Sequence, residues 1–263
     1  MPEGPEIWRA AGRIEKALGS GPLVDVSFGF ERLQAAEATL LGAHVLAVRP
    51  RGKAMLTSFS TGDTLYSHNQ LYGVWRVARA GTSLRATNRA LRVRLSTALA
   101  TAALYSATDV ELWRTEHIDE HPFLQRLGPD VLDPDVDADV VLTRLQTFPR
   151  RRSRLGSLLL DQGFFCGVGN YLRAEILWTA ELHPARTLAS LADEEQRALT
   201  QALLGVPRAS LRFRYARGER RFTFAVFQRD GRPCPRCGEV VVRIEDGGRR
   251  LYVCDACQPR RGV

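Results

Sequence analysis

Apolar residues fall at Ile7, Ala11, Ile14 and Leu18, three to four positions apart, before Gly19-Ser20-Gly21-Pro22 ends the run. That spacing predicts an amphipathic helix from Pro5 to about Leu18. From Leu23 to about Ala107 the pattern changes to short apolar or alternating runs broken by glycine-containing turns, clearest in Leu91-Arg92-Val93-Arg94-Leu95. Seven strands are predicted: Leu23–Phe30, His44–Val48, Ala54–Phe59, Thr64–Ser67, Gly73–Arg79, Leu91–Ser96 and Ala102–Ser106. Together they suit a β-sandwich or barrel-like body with the first helix packed on it. After Asp109 the character changes. Asp130–Asp139 is an acidic, proline-bearing linker or helix start, and helical periodicity then governs Val140–Gln146, Arg154–Gln162, Tyr171–Ala180 and Asp193–Leu204. Phe222–Gln258 returns to short strands around four cysteines.

The fold class read from this pattern is α+β, with expected domains at 1–125 (β-sandwich with an N-terminal helix), 126–221 (helical) and 222–263 (a four-cysteine hairpin module). At 263 residues the chain can build two modest cores. No run of about 18 apolar residues exists, and no basic segment precedes an apolar N-terminal stretch. A membrane span and a secretory signal are therefore not expected, and the cell interior is the default.

Charge changes the picture through its placement. Residues 1–205 carry 23 basic and 23 acidic side chains, whereas 206–263 carry 14 and 6, so the whole net charge of +8 sits in the last section. A basic C-terminal section points to a polyanionic partner. Of the 37 basic residues only Lys16 and Lys53 are lysine. In so arginine-biased a chain a lysine draws notice, because lysine can shed a proton or form an imine and arginine cannot. Lys16 reads as a solvated helix residue. Lys53, in Arg51-Gly52-Lys53 at the start of an apolar strand, is the better candidate for chemistry.

Three local motifs carry further chemistry. Cys234-Pro-Arg-Cys237, sixteen intervening residues, and Cys254-Asp-Ala-Cys257 have the spacing of a four-thiolate zinc site, which leaves no open coordination position and is therefore structural. Cys166 reads as a small buried hydrophobe. In Gly167-Val168-Gly169-Asn170 a glycine turn leads into a helix, an arrangement that can seat a phosphate on exposed N–H groups or simply join two helices tightly. The chain opens Met1-Pro2-Glu3-Gly4-Pro5-Glu6. Removal of Met1 would leave Pro2 as a secondary amine titrating near about 7.7–8.0, hence partly uncharged and nucleophilic at neutral pH, beside the Glu3 carboxylate. Taken alone the segment also serves as an ordinary helix start, with Pro5 in the first turn and Glu6 at the positive helix end.

Pro-Glu-Gly-Pro-Glu at the N-terminus, Arg-Gly-Lys, Gly-Val-Gly-Asn-Tyr and the C-terminal four-cysteine finger, in that order, resemble the formamidopyrimidine-DNA glycosylase/endonuclease VIII family end to end. Ser67-His68-Asn69-Gln70-Leu71-Tyr72-Gly73 and His121-Pro122-Phe123-Leu124-Gln125-Arg126 are similar to the endonuclease VIII branch. The resemblance implies a bacterial, cytoplasmic, nucleoid-associated DNA glycosylase/AP lyase acting as a monomer on damaged duplex DNA, with one structural zinc and no small-molecule cofactor. It implies an N-terminal β-sandwich, a helix-two-turn-helix domain and a zinc-finger β-hairpin. Pro2 becomes the nucleophile, Glu3 a proton donor, Lys53 a proton donor and phosphate contact, and Arg249, with Arg250 as its rival, the aid to a second elimination. Gln70, Leu71 and Tyr72 would fill the gap left by an extruded base, and Arg126 and Asn170 would hold phosphates. Oxidised pyrimidines are the expected substrates, with oxidised purines the alternative. A non-catalytic zinc-ribbon DNA-binding protein would be expected to lack one of Pro2, Glu3 or Lys53, and all three are present. A proline-dependent tautomerase fits neither the finger nor the basic section. The short Arg217–Arg221 connection carries no long lesion-capping loop.

Overall fold

The computed structural model describes residues 2–82, 84–213 and 222–260. Met1 and the Arg217–Arg221 connection lie outside the described residues. The chain divides into two compact units, Met1–Gln125 and Arg126–Val263.

The first unit opens with α1 (Gly4–Leu18), which buries Ile7, Ala11, Ile14 and Leu18, the stripe set by the sequence. Each Ile or Leu so buried contributes about 1.5–3 kcal/mol relative to exposure. β1 (Leu23–Phe28) and α2 (Glu31–Leu40) follow, then β2 (Val45–Arg51), β3 (Ala54–Phe59), β4 (Asp63–His68), β5 (Val74–Arg79), β6 (Leu91–Thr97), β7 (Ala100–Tyr105) and β8 (Asp109–Arg114). They form two four-stranded antiparallel sheets, ordered β1-β6-β7-β5 and β2-β3-β4-β8. A shared core including Phe28, Phe59, Leu65, Val93, Leu95, Leu104 and Val110 makes them a sandwich.

Two elements depart from expectation. α2 lies in a stretch read as strands only; Glu-Arg-Leu-Gln-Ala-Ala-Glu-Ala-Thr-Leu is rich in helix formers, but it buries only Leu33 and Leu40 and so lacks a strong stripe. β8 was not expected because its outer face is polar. Its sequence alternates from Asp109 to Leu112 and breaks at Trp113-Arg114; it pairs with β4, setting Glu111 opposite Tyr66 and Trp113 opposite Thr64. The Tyr66 ring stacks on His121 at 4.0 Å, and Phe123 packs edge-on to both Tyr66 and His68.

In the second unit, α3 (Ala138–Thr147) starts where the Asp137 carboxylate accepts the Val140 N–H at 2.9 Å, so the acidic stretch does cap a helix. α4 (Leu155–Leu158) is much shorter than the predicted 154–162, because residues 159–169 turn to reach α5 (Asn170–Thr179). α6 (Asp193–Phe213) outruns its predicted end at Leu204, carrying Pro207 within it. β9 (Val242–Asp246) and β10 (Arg249–Val253) form the terminal hairpin. Helices and finger share one hydrophobic core, in which Leu145, Leu172, Leu177 and Leu203 lie with Val226, Val241, Leu251, Val253 and Cys254. Among the described residues no helix is long and apolar enough to cross a membrane.

Candidate active site and nucleic-acid interface

In the first unit the Pro2-Glu3 pair stands at the N-terminus of α1. Glu3 is buried, its carbonyl accepts N–H bonds from Glu6 and Ile7 at 3.0 and 3.2 Å, and its own N–H is donated to Glu6 Oε2 at 3.0 Å. Glu6 thus anchors the first turn and fixes the residue that follows Pro2. Pro5, inside that first turn, gives up an N–H the helix does not use.

Lys53 is not on a strand as expected. It occupies the two-residue turn Gly52-Lys53 between β2 and β3, with Gly52 at φ 60°, and only 8% of it is exposed. Ala54, the next residue, pairs with His68 at the end of β4, and His68 pairs with Asp109. Burial lowers the His68 pKa below its ordinary value near 6.5; Asp109 opposes this and Lys53 reinforces it. A neutral imidazole fits its bonding, since His68 Nδ1 accepts the Gln70 N–H at 3.1 Å. That bond starts the turn carrying Gln70, Leu71 and Tyr72. Gln70 takes a left-handed φ of 49°, its side-chain oxygen accepts from the Thr108 hydroxyl, and Gly73 closes the turn with an N–H to the Asn69 carbonyl at 2.7 Å. Leu71 and Tyr72 are 58% and 68% exposed, so the tip is a displayed apolar surface rather than strand core. Nothing in the local sequence around His68 marks its position opposite Ala54, which follows only from the strand register.

In the second unit Arg126 is exposed at the first residue, in a short 3₁₀ turn. The glycine turn is clasped by a side chain the sequence reading passed over. The Gln162 amide donates to the Val168 carbonyl at 3.0 Å and accepts the Gly167 N–H at 3.2 Å, with Gly167 at φ 86°. Helix α5 begins directly after it. Asn170 does not cap that helix, since the cap position is Gly169; its Nδ2 instead donates to the Arg250 carbonyl at 2.9 Å. The helix start and the finger hairpin are thereby joined. Arg249 and Arg250 are exposed beside the Gly247-Gly248 turn. The Arg150–Arg154 run is partly committed inside this unit, with Arg150 paired to Asp161 at 2.7 Å and Arg154 3.6 Å from Asp246.

The four cysteines converge. The sulfurs of Cys234, Cys237, Cys254 and Cys257 lie within 4.8 Å of one another, with Cys234–Cys257 at 3.8 Å and Cys237–Cys254 at 3.4 Å. A tetrahedral zinc with Zn–S near 2.3 Å needs edges of about 3.8 Å, so the donor set fits. Burial pushes the Cys234 thiol up, but N–H donors of Cys237 and Arg236 and the Trp178 indole outweigh it, lowering the value to about 6. Burial and the neighbouring sulfurs push Cys257 up to about 12. Four sulfurs this close repel one another as thiolates, and a divalent cation between them removes that repulsion.

Three family models match in chain order: the formamidopyrimidine-DNA glycosylase N-terminal domain over 1–110, the formamidopyrimidine-DNA glycosylase H2TH domain over 127–216, and the zinc finger found in FPG and IleRS over 231–260. A protein named Endonuclease 8 from Escherichia coli O17:K52:H18 is 49% identical over 264 residues, covering 98% of this chain and all of its own. One of the same name from Klebsiella pneumoniae (strain 342) is 48% identical over 263 residues, with the same coverage. Among solved structures, Lactococcus lactis Fpg (MutM) in complex with an oxidized-pyrimidine-containing DNA superposes with a TM-score of 0.83 at 20% identity. It covers 98% of this chain and 100% of its own. The same protein with an abasic-site-containing DNA gives 0.82 at 19%, again covering 98% and 100%. At that identity the likeness is one of fold.

Proposed function

The chain belongs to the formamidopyrimidine-DNA glycosylase/endonuclease VIII family, and from that premise we propose how its own residues divide the work of a bifunctional DNA glycosylase/AP lyase in base excision repair. Once Met1 is removed, the Pro2 nitrogen attacks C1′ of the damaged nucleotide. The new N–C1′ bond replaces the glycosidic bond, and the base leaves with its electron pair. Glu3 gives a proton to the ring oxygen as the sugar opens, leaving an iminium that joins enzyme and DNA. The iminium acidifies the C2′ hydrogen. Its loss expels the 3′ phosphate, and a second elimination, aided by Arg249, expels the 5′ phosphate.

Lys53 donates a proton and contacts a phosphate from its turn. Leu71 and Tyr72 occupy the space of the extruded nucleotide, and Gln70 hydrogen-bonds the orphaned base. Asn170 and Arg126 hold backbone phosphates. Oxidised pyrimidines are the substrate class, a reading supported by the name and identity of the relatives and by the contiguous Gln-Leu-Tyr tip. The protein acts as a monomer in the cytoplasm, on the nucleoid. The finger zinc is structural and takes part in no step.

The observation that carries this reading is the pairing of a buried, anchored Glu3 with the one residue before it that can become a free secondary amine. Borohydride reduction on an abasic or thymine-glycol duplex should trap a covalent protein–DNA adduct. No adduct with the wild type, or undiminished trapping by a Pro2→Gly variant that keeps Met1, would remove Pro2 as nucleophile. Faster excision of 8-oxoguanine opposite cytosine than of thymine glycol would overturn the substrate class.

A further inference from the structure

Residues Tyr171–Leu177 of α5 are all buried, although Arg173 and Glu175 are charged. Glu175 is occupied by main-chain N–H groups of residues 225–227. Arg173, at 0% exposure, is the largest side chain wholly removed from solvent among the described residues. Burying a guanidinium is costly unless its charge and donors are met. One fork nitrogen, Nη1, donates to Asp246 Oδ2 and to the Gly156 carbonyl, both at 3.0 Å. The other, Nη2, donates to Asn170 Oδ1 at 2.7 Å and to the Arg250 carbonyl at 3.3 Å.

The second pair of bonds has a consequence for Asn170. An amide side chain can flip by half a turn and exchange its oxygen for its NH2. Here Oδ1 faces a group that can only donate, and Nδ2 faces a carbonyl that can only accept. The flipped amide would set donor against donor and acceptor against acceptor, so one orientation is enforced. With one Nδ2 hydrogen committed to Arg250, one remains to be offered. Gly156 makes the arrangement possible, because a Cβ there would lie 2.1 Å from Asp246 Oδ2.

We propose that Arg173 is a positioning residue: it locks the start of α5 to the finger hairpin and fixes the Asn170 amide so that its second hydrogen serves a DNA phosphate. The inference rests on the reading of Asn170 as a phosphate contact. Arg173 touches no DNA itself. The planar fork is essential, since a lysine could neutralise Asp246 but could not also reach Asn170 on the other side.

The test compares zinc-loaded wild type, Arg173→Lys, Asn170→Ala and the double variant for affinity to a duplex containing a tetrahydrofuran abasic analogue. Asn170→Ala and Arg173→Lys should each weaken binding roughly five- to tenfold, the loss expected for one hydrogen bond. The double variant should be no more than about twofold weaker than Asn170→Ala, because the two act through one amide. Losses that multiply, or Arg173→Lys at wild-type affinity while Asn170→Ala is weakened, overturn the inference alone. Wild-type affinity for Asn170→Ala overturns the underlying reading and the inference with it. If Arg173→Lys loses its zinc, the wild-type Asn170 side-chain NH2 decides by NMR. A nitrogen-15 order parameter near the rigid value of about 0.85 is expected at Nδ2, and one below about 0.6 refutes the lock.

Discussion

Replacing Glu175 by alanine tests how the second unit holds its finger. The carboxylate accepts the main-chain N–H groups of Ala225, Val226 and Phe227 at 2.8, 3.0 and 2.9 Å. Each bond to a charged acceptor contributes about 1.5–3 kcal/mol, so three give a gross loss of roughly 4.5–9 kcal/mol. Burial opposes this: it raises the Glu175 pKa above its ordinary 4.5, the cost of holding the charge inside, which the three N–H groups and Arg229 only partly offset. The net loss expected for Glu175→Ala is therefore about 3–5 kcal/mol, a large share of the roughly 5–15 kcal/mol that stabilises a domain. Glu175→Gln keeps one acceptor but turns its NH2 toward an N–H donor, so about half of that loss should appear. Urea unfolding at pH 7 with parallel metal analysis provides the measurement. At an m-value of about 2 kcal/mol/M the alanine variant should unfold roughly 1.5–2.5 M earlier, with reduced zinc content, because Val226 packs in the same core as Cys234. A midpoint displaced by less than about 0.5 M with full zinc would refute the view that this carboxylate anchors the finger.

Two other perturbations address the wedge. A Cβ at Gly73 would lie 2.4 Å from the Asn69 carbonyl oxygen, a main-chain atom that cannot swing aside; Gly73→Ala should shift the tip and lower kcat/KM on a thymine-glycol duplex by about 100-fold, and unchanged kinetics would refute the role of the turn. His68 should titrate below 6.5 by NMR. Because its folded pKa is depressed, chiefly by burial, the unfolded chain binds more protons in the window below 6.5, and the stability it contributes is lost as pH falls through the folded value. The Gln70 N–H bond should go with it, and a midpoint at or above 6.5 would contradict the geometry.

The legible parts of this fold are those where one periodicity meets one buried face, as in α1, β3 and β6. The cysteine spacing was equally direct, because metal geometry constrains the sequence locally. α2 was hidden by its thin stripe, and β8 by the polar partners of its outer face, whose aromatic cover comes from residues 121–123. Within the sites, Pro2, Glu3, Lys53 and the wedge stood out as residue types. The groups that orient them did not. His68 acts through cross-strand register, Gln162 through a turn five residues on, and Arg173 through residues 73 and 77 positions away. A charged pair within a wholly buried helical stretch was the one available signal for Arg173 and Glu175, since buried charges must find partners.

The shared core of helices and finger makes the metal a folding ligand for more than its own hairpin. If the zinc-bound form is the only one in which Val241, Leu251 and Val253 pack against Leu172 and Leu177, each tenfold rise in free zinc above the dissociation constant adds about 1.4 kcal/mol to the unit carrying Asn170. Metal supply then sets the lifetime of the chain against proteolysis. A cell short of zinc would lose this repair activity by turnover of the protein while every residue of the Pro2 site remained intact.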